Sequence, residues 1–313
     1  MSKDLNEEAR ALAQGRTRGE ALAQAARWLR AAGDATADLD AQVLLGHVTG
    51  EARRAALLAY PERTLASQEA ATYARLVARR AAGEPVAYLV GHREFMGLDL
   101  LTDPRALIPR PETELLVEAA LHDARARLQQ ESAAQPPIVA DIGTGTGAIA
   151  LALAALEPRL TRIYATDISA DALALARENA ARLGLDTRVI FLLGDLLAPL
   201  PEPVDLLLAN LPYVAPRDAA VLPTDVGRYE PALALYGADD GLGHLRRLFA
   251  DAPARVRPGA TLVLEFGFGQ RTPVEALARA AFPGCVVRIG MDYAGFDRYA
   301  VVAIPPSHQP ENA

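Results

Sequence analysis

From about Gly19 to Ala82, apolar side chains return at helical spacing. Ala21, Leu22, Ala25 and Leu29 form one such set, and Leu39, Val43, Leu44 and Val48 another. Alanine, leucine, arginine and glutamate dominate the stretch, and all are strong helix formers. Gly33, Gly50 and Gly83 fall where helices should stop, and Pro61 lies in a connection. The pattern predicts a small all-helical domain over residues 1–86 with no catalytic motif of its own. From Tyr88 to Leu101 aromatic and β-branched residues appear. Gly97 interrupts Glu94-Phe95-Met96-Gly97-Leu98-Asp99-Leu100 as a hairpin turn would, which predicts a β-hairpin linker over 87–104.

Residues 105–313 follow another rhythm. Pro111 suits the first turn of a helix reaching about Leu128, and Glu112 and Glu114 suit the positive end of its dipole. Gln129 to Pro137 is polar and proline-terminated, hence a surface loop. Beyond it, short apolar runs alternate with helical segments, the pattern of a parallel sheet flanked by helices. Strands are predicted at Ile138–Ile142, Arg162–Thr166, Arg188–Leu193, Val204–Ala209 and Ala260–Phe266. Two more, Cys285–Ile289 and Tyr299–Ile304, have no helix between them and so should pair antiparallel at a sheet edge. The reading is α/β: a Rossmann-like seven-stranded sheet with an antiparallel C-terminal hairpin.

Composition narrows the chemistry. The chain has 313 residues, enough for one large domain and a smaller companion. Its net charge of -7 disfavours non-specific adhesion to nucleic-acid phosphates. Cys285 is the single cysteine, so no intrachain disulfide can form, and the five histidines are too scattered in sequence to favour a metal. The start, Met1-Ser2-Lys3-Asp4, has no apolar signal core, and no apolar run approaches the roughly 18 residues that span a bilayer. A cytoplasmic protein without membrane association is expected, and a monomer is the simplest assembly.

Asp141-Ile142-Gly143-Thr144-Gly145-Thr146-Gly147-Ala148 follows the first parallel strand and opens a helix. Glycines there permit a tight turn and close approach of a ligand to the backbone. Asp167 ends the next strand, where a carboxylate can accept from ribose hydroxyls. Gly143, Gly145 and Ala148 also satisfy the dinucleotide fingerprint, so a nicotinamide cofactor would leave the same letters. Asp141 just before the loop and the spacing of the three alternate glycines tip the choice, and a second acid, Asp195 after the third strand, can flank the adenine. Carboxylates repel a pyrophosphate but suit a cationic, phosphate-free nucleoside, and Asp141 is expected to reach the amino end of a methionine moiety. S-adenosylmethionine is favoured over NAD.

The fourth parallel strand ends in Asn210-Leu211-Pro212-Tyr213. Such a turn should face the glycine loop, because ligands in open α/β sheets sit outside the carboxyl ends of the strands. A side-chain carbonyl from Asn210 and a backbone carbonyl from Leu211 could each accept one N–H of a planar NH2 group. The nitrogen would then be oriented for attack on a methyl group. Pro212 would fix the turn, and Tyr213 offers a face for a flat amide or base. Both a glutamine side chain and an exocyclic amine of a DNA or RNA base meet that description.

In order and spacing, these motifs resemble the release-factor glutamine methyltransferases, the PrmC/HemK family. Ile108-Pro109-Arg110-Pro111-Glu112-Thr113-Glu114, Gly143 to Gly147, Asp167-Ile168-Ser169, Gly194-Asp195-Leu196, Asn210 to Tyr213, Glu230-Pro231, Asp239-Asp240-Gly241-Leu242 and Asp292-Tyr293 carry the resemblance. It covers nearly the whole chain, and the segment from Ile108 to Glu114 is its most specific part. The resemblance implies a methyltransferase domain over 105–313 that transfers methyl from S-adenosylmethionine to N5 of the glutamine in the Gly-Gly-Gln motif of class I release factors. It implies a helical domain that recognises the factor. Gly143, Thr144, Gly145, Thr146, Gly147, Asp167, Asp195, Leu196 and Asn210 would line the cofactor site, and Asn210, Leu211, Pro212 and Tyr213 would hold the glutamine. Phe95, Arg110 and Glu112 are further candidates for substrate contact, set against core packing for Phe95 and helix capping or ion pairing for the other two. Leu211 departs from the family's usual proline, and Leu196 from the aromatic found in some members. Methylation of a base amine is the alternative reading.

Overall fold

The computed structural model describes residues 12–13, 17–51, 53–129 and 135–306. The four N-terminal residues considered above lie outside these, as do 130–134 of the expected surface loop. The described residues divide into two compact units. One comprises those up to Gly91 together with Pro223–Tyr229; the other comprises His92–Leu222 and the described residues from Glu230 on.

In the first unit, α1 (Arg18–Ala31), α2 (Ala37–Thr49), α3 (Arg54–Ala59), α4 (Ser67–Ala81) and α5 (Val86–Val90) surround Leu29, Leu44, Leu45, Tyr73 and Val77. Thr17 and Glu20 close α1 with a reciprocal capping box, and Gly50 ends α2 in the left-handed conformation. Leu89 of α5 belongs to this core, so the unit runs on to Gly91 rather than ending at 86. Arg80 is half-buried between Asp34 and Asp40, at 3.0 and 2.7 Å. A short helix in the returning segment, Thr224–Tyr229, packs into the same unit, with the Tyr229 hydroxyl donating to the Ala82 carbonyl at 3.1 Å.

The second unit opens with the hairpin of β1 (His92–Phe95) and β2 (Leu98–Leu101). Met96 and Gly97 both take positive φ, 51° and 79°, which gives the tight turn expected at Gly97. Sequence alone suggested a linker, but the hairpin is built into this unit. Phe95 and Leu100 are fully buried with Leu116 and Val117 of α6 (Pro111–Leu128). The Asn179 side chain bonds both the Leu101 N–H (2.7 Å) and its carbonyl (3.1 Å).

Then come β3 (Val139–Ile142), α7 (Ala148–Leu156), β4 (Ile163–Asp167), α8 (Ala170–Leu183), β5 (Val189–Leu193) and β6 (Val204–Ala209). After the returning segment follow α9 (Gly243–Asp251), β7 (Val256–Glu265), α10 (Arg271–Ala281), β8 (Val286–Met291) and β9 (Asp297–Ala303). The seven-stranded sheet has the order β5-β4-β3-β6-β7-β9-β8, parallel through β7 and antiparallel for the last pair. β3 is buried along its whole length, as a central parallel strand must be. The strand order reverses between β3 and β6, and Ile142 pairs with Ala209 there. Gly143 and Asn210 therefore leave the sheet side by side at its carboxyl edge, the switch point where α/β sheets bind ligands. Among the described residues no helix is long and apolar enough to cross a membrane.

Candidate active site

A cleft of about 190 Å³ opens at that edge, entirely within the second unit. Its walls include Gly143, Thr144, Gly145, Thr146, Asp167, Asp195, Leu196, Asn210, Leu211 and Pro212, so most of the sequence-derived candidates converge. Phe95, Ala106, Arg110, Thr113, His244 and Arg247 are among those that join it from other elements.

Gly143, Gly145 and Gly147 all take positive φ, at 73°, 56° and 85°. A Cβ at Gly143 would stand 3.0 Å from Leu211, so the loop and the Asn210 turn touch at this point. The loop amides are largely spent inside the fold. Gly143 and Thr144 donate to the Thr166 carbonyl at 2.9 Å, and Gly147 donates to the Thr144 carbonyl at 2.8 Å. Gly145 donates to Asp167 Oδ2 at 2.9 Å, while Ser169 N–H donates to Oδ1 at 2.9 Å. A carboxylate thus occupies an amide that a pyrophosphate would need. Burial raises the Asp167 carboxyl above its ordinary range, opposed by these backbone bonds. Asn179, already holding β2, also donates to the Thr146 carbonyl at 3.0 Å and so ties the hairpin to the loop.

Asp141 departs from expectation. It is wholly buried and not part of the cleft wall. Its Oδ2 accepts from the Thr144 hydroxyl (2.6 Å) and the Ala150 N–H (3.2 Å), so it shapes the loop from behind instead of reaching the ligand. Burial pushes its carboxyl up to about 7. Asp195 lines the cleft and is ion-paired with Arg247 of α9. Leu196 beside it has φ 47° and its carbonyl accepts from the Thr166 hydroxyl at 3.1 Å, which presents a fixed apolar wall. Two carboxylates, an apolar wall and occupied loop amides fit a phosphate-free cationic nucleoside such as S-adenosylmethionine and disfavour a dinucleotide.

The Asn210 turn is held from three sides. Its Nδ2 donates to Thr113 Oγ1 at 2.9 Å, and Thr113 Oγ1 donates to Glu265 Oε2 at 2.7 Å. Tyr213 stands outside the cleft wall, its hydroxyl 3.4 Å from Glu265 Oε1. Gln270 Nε2 donates to the Tyr213 carbonyl at 3.1 Å. Gly237 and Gly241 press on the same backbone: a Cβ on them would lie 2.2 Å from the Pro212 carbonyl oxygen and 2.1 Å from that of Tyr213. Burial pushes the Glu265 carboxyl up to about 7, and burial also raises the Tyr213 hydroxyl.

Phe95 is both a core residue and part of the wall. Arg110 precedes α6 and pairs with buried Glu230 at 2.6 Å; Glu230 also accepts from Ile108 N–H at 3.2 Å. The pair pins residues 106–110 along the cleft. Glu112 is outside the wall, although its charge acts on Tyr213 and Glu265. Thr113, Asn179, Gly237, Glu265 and Gln270 were missed as site residues. Thr113 alone lay inside a motif already singled out, and its partner is 152 positions away. Among the described residues no cluster of histidine, cysteine or carboxylate side chains is arranged to hold a metal.

Comparison with known proteins agrees with this arrangement. Residues 20–91 match the model of the PrmC N-terminal domain, and 120–223 that of the methyltransferase small domain. A release factor glutamine methyltransferase of Moorella thermoacetica is 46% identical over 280 residues, covering 89% of this chain and 95% of its own. One from Bordetella pertussis is 44% identical, covering 78% and 86%. Among solved structures, the hMettl16 catalytic domain in complex with a MAT2A 3′UTR hairpin superposes with a TM-score of 0.53 at 18% identity. The match covers 73% of this chain and 80% of that one, and shows a shared fold.

Proposed function

This chain belongs to the release factor glutamine methyltransferase family, and from that premise we propose that it methylates N5 of the glutamine in the Gly-Gly-Gln motif of class I release factors. It is an S-adenosylmethionine-dependent methyltransferase. When bound, that cofactor supplies an electrophilic methyl group on a sulfonium centre.

The residues of the chain do the rest by position. Gly143 to Thr146 would admit the cofactor close to the backbone, with Gly147 turning the loop beneath them. Asp167 would accept from ribose hydroxyls, and Asp195 and Leu196 would flank the adenine. Asn210 Oδ1 and the Leu211 carbonyl each accept one N–H of the substrate amide, which turns the nitrogen toward the methyl group. The same carbonyl dipoles stabilise positive charge as it develops on nitrogen. Leucine at 211 keeps the carbonyl that this role requires. Pro212 shapes the glutamine pocket from the cleft wall, and Tyr213 supports that turn from outside it. Phe95 and Arg110 lie along the approach of the substrate loop, and Glu112 acts from outside the wall through its charge. The helical unit recognises the body of the release factor, and the enzyme works as a cytoplasmic monomer.

The observation that carries this reading is the placement of Asn210. Its amide is anchored on Thr113, on the cleft wall, one strand from the glycine loop. Incubation with labelled cofactor and either a release factor or nucleic acid tests it. Label entering the protein is expected, and label entering only the nucleic acid would reverse the assignment.

A further inference from the structure

A carboxylate is placed behind the catalytic turn with no cation in ion-pair range among the described residues. Glu265 ends β7 and is 2% exposed, and its hydrogen bonds run to Thr113 and Tyr213. Burying a charge this way is costly, and a leucine would fill a strand end at less expense. The arrangement has a direction that packing alone does not require. An ionised carboxylate only accepts, so Thr113 must give it the hydroxyl proton. The lone pairs of Thr113 Oγ1 are then left to accept, and the group that meets them is the Asn210 amide at 2.9 Å. A side-chain amide anchored by its NH2 has its carbonyl pointing the other way.

We propose that Glu265, acting through Thr113, fixes the flip of the Asn210 amide so that Oδ1, not Nδ2, faces the substrate. Thr113 and Glu265 are positioning residues; neither touches the reacting atoms. The inference rests on the reading of Asn210 as the acceptor for the substrate amide. Reversal of the flip would present two N–H donors to a substrate NH2 group, which has only protons to offer, and binding of that group would be lost.

The relay also has a pH sense. The groups facing Glu265 are Thr113 and Glu112 on α6, Tyr213 after β6 and Arg298 on β9, and Arg298 is itself paired with Asp292 at 2.8 Å. With burial opposing ionisation, the carboxyl is pushed up to about 7. Once protonated, Glu265 can donate to Thr113, whose own proton is then free to turn toward Asn210 Oδ1 and favour the wrong flip. Turnover in the full-length enzyme should therefore fall as pH drops below about 7, with a smaller change in cofactor binding.

Thr113→Val, Thr113→Ser and Glu265→Gln are the variants to compare, assayed with a release factor from pH 6 to 9 alongside melting curves and cofactor titrations. Thr113→Val is expected to lower kcat at least about 10-fold with cofactor affinity held within about 3-fold, as for other lost oriented hydrogen bonds. Thr113→Ser should restore most of the loss, and Glu265→Gln should flatten the acid limb. Equal damage from Val and Ser, or an unchanged acid limb in Glu265→Gln, would overturn the proposal. A second readout does not need the substrate. The Asn210 side-chain N–H signals, assigned by their loss in Asn210→Asp, should shift with a midpoint near pH 7 in the unaltered protein and not in Thr113→Val. If the signals behave so while release factors stay unlabelled, the relay stands and the substrate assignment fails; signals indifferent to pH and to Thr113 refute the relay whatever the substrate.

Discussion

In the proposed mechanism Asn210 does one thing: its carbonyl accepts a hydrogen bond from a planar amide while its own NH2 is held from behind. Thr113 at 2.9 Å supplies the hold, and the neighbouring Leu211 packs against Gly143 of the cofactor loop. Replacement by alanine removes a hydrogen bond that strengthens as the transition state forms. Asn210→Ala should leave S-adenosylmethionine binding nearly intact and cut turnover by at least about 10²-fold, read by calorimetry and by single-turnover methyl transfer. Turnover near normal would remove Asn210 from the mechanism. Asp141 teaches a different lesson at this scale. An acid before a glycine loop is visible in sequence, but whether it faces the ligand or the loop depends on side-chain direction. Here it turns inward to Thr144 and Ala150.

At the scale of elements, the turn after β6 works because other backbone lies against it. Gly237 N–H donates to the Val214 carbonyl at 3.0 Å, and Val214 N–H to the Leu235 carbonyl at 3.0 Å. That leaves no room for a side chain at 237, where a Cβ would stand 2.2 Å from the Pro212 carbonyl. Gly237→Ala should push the turn out of place, costing about 1–3 kcal/mol of stability and a larger share of activity. A melting point and kcat both unchanged would mean the turn tolerates displacement.

Much at this scale could be read from the pattern of residues. The strand at Val204–Ala209, the helix ending at Leu128 and the antiparallel closing pair follow from apolar periodicity and from the missing helix between the last two strands. The convergence of Gly143 and Asn210 follows from strand order. The supports were not legible. Glu265 and Gln270 look like an ordinary strand end and helix entry, and Gly237 looks like one loop glycine among many. Their roles come from register and close approach over long separations, which local pattern does not encode. The hairpin at His92–Leu101 was visible as a hairpin, yet its place in the second unit depends on Phe95, Leu100 and Asn179 meeting distant partners.

For the whole molecule, two buried carboxyls raised to about 7, Asp141 and Glu265, set a pH signature. A carboxyl whose pKa is raised by folding holds its proton more tightly in the native state. Its contribution is fully present below the ordinary carboxyl range and is lost as pH climbs toward 7. Stability measured by urea unfolding should therefore favour the unaltered protein over Glu265→Gln most at pH 4.5. The gap should close by on the order of 1 kcal/mol or more between there and pH 7.5. A constant difference would show that Glu265 ionises as freely in the fold as outside it.

The central claim, that the molecule methylates one glutamine of a release factor, meets its most direct test in a paired labelling experiment. The purified enzyme is given labelled S-adenosylmethionine and a class I release factor, beside the same factor with its Gly-Gly-Gln glutamine changed to alanine. Label on the first and none on the second is the predicted result. Equal label on both would place the methyl group elsewhere, and label on neither, with cofactor binding confirmed, would contradict the account.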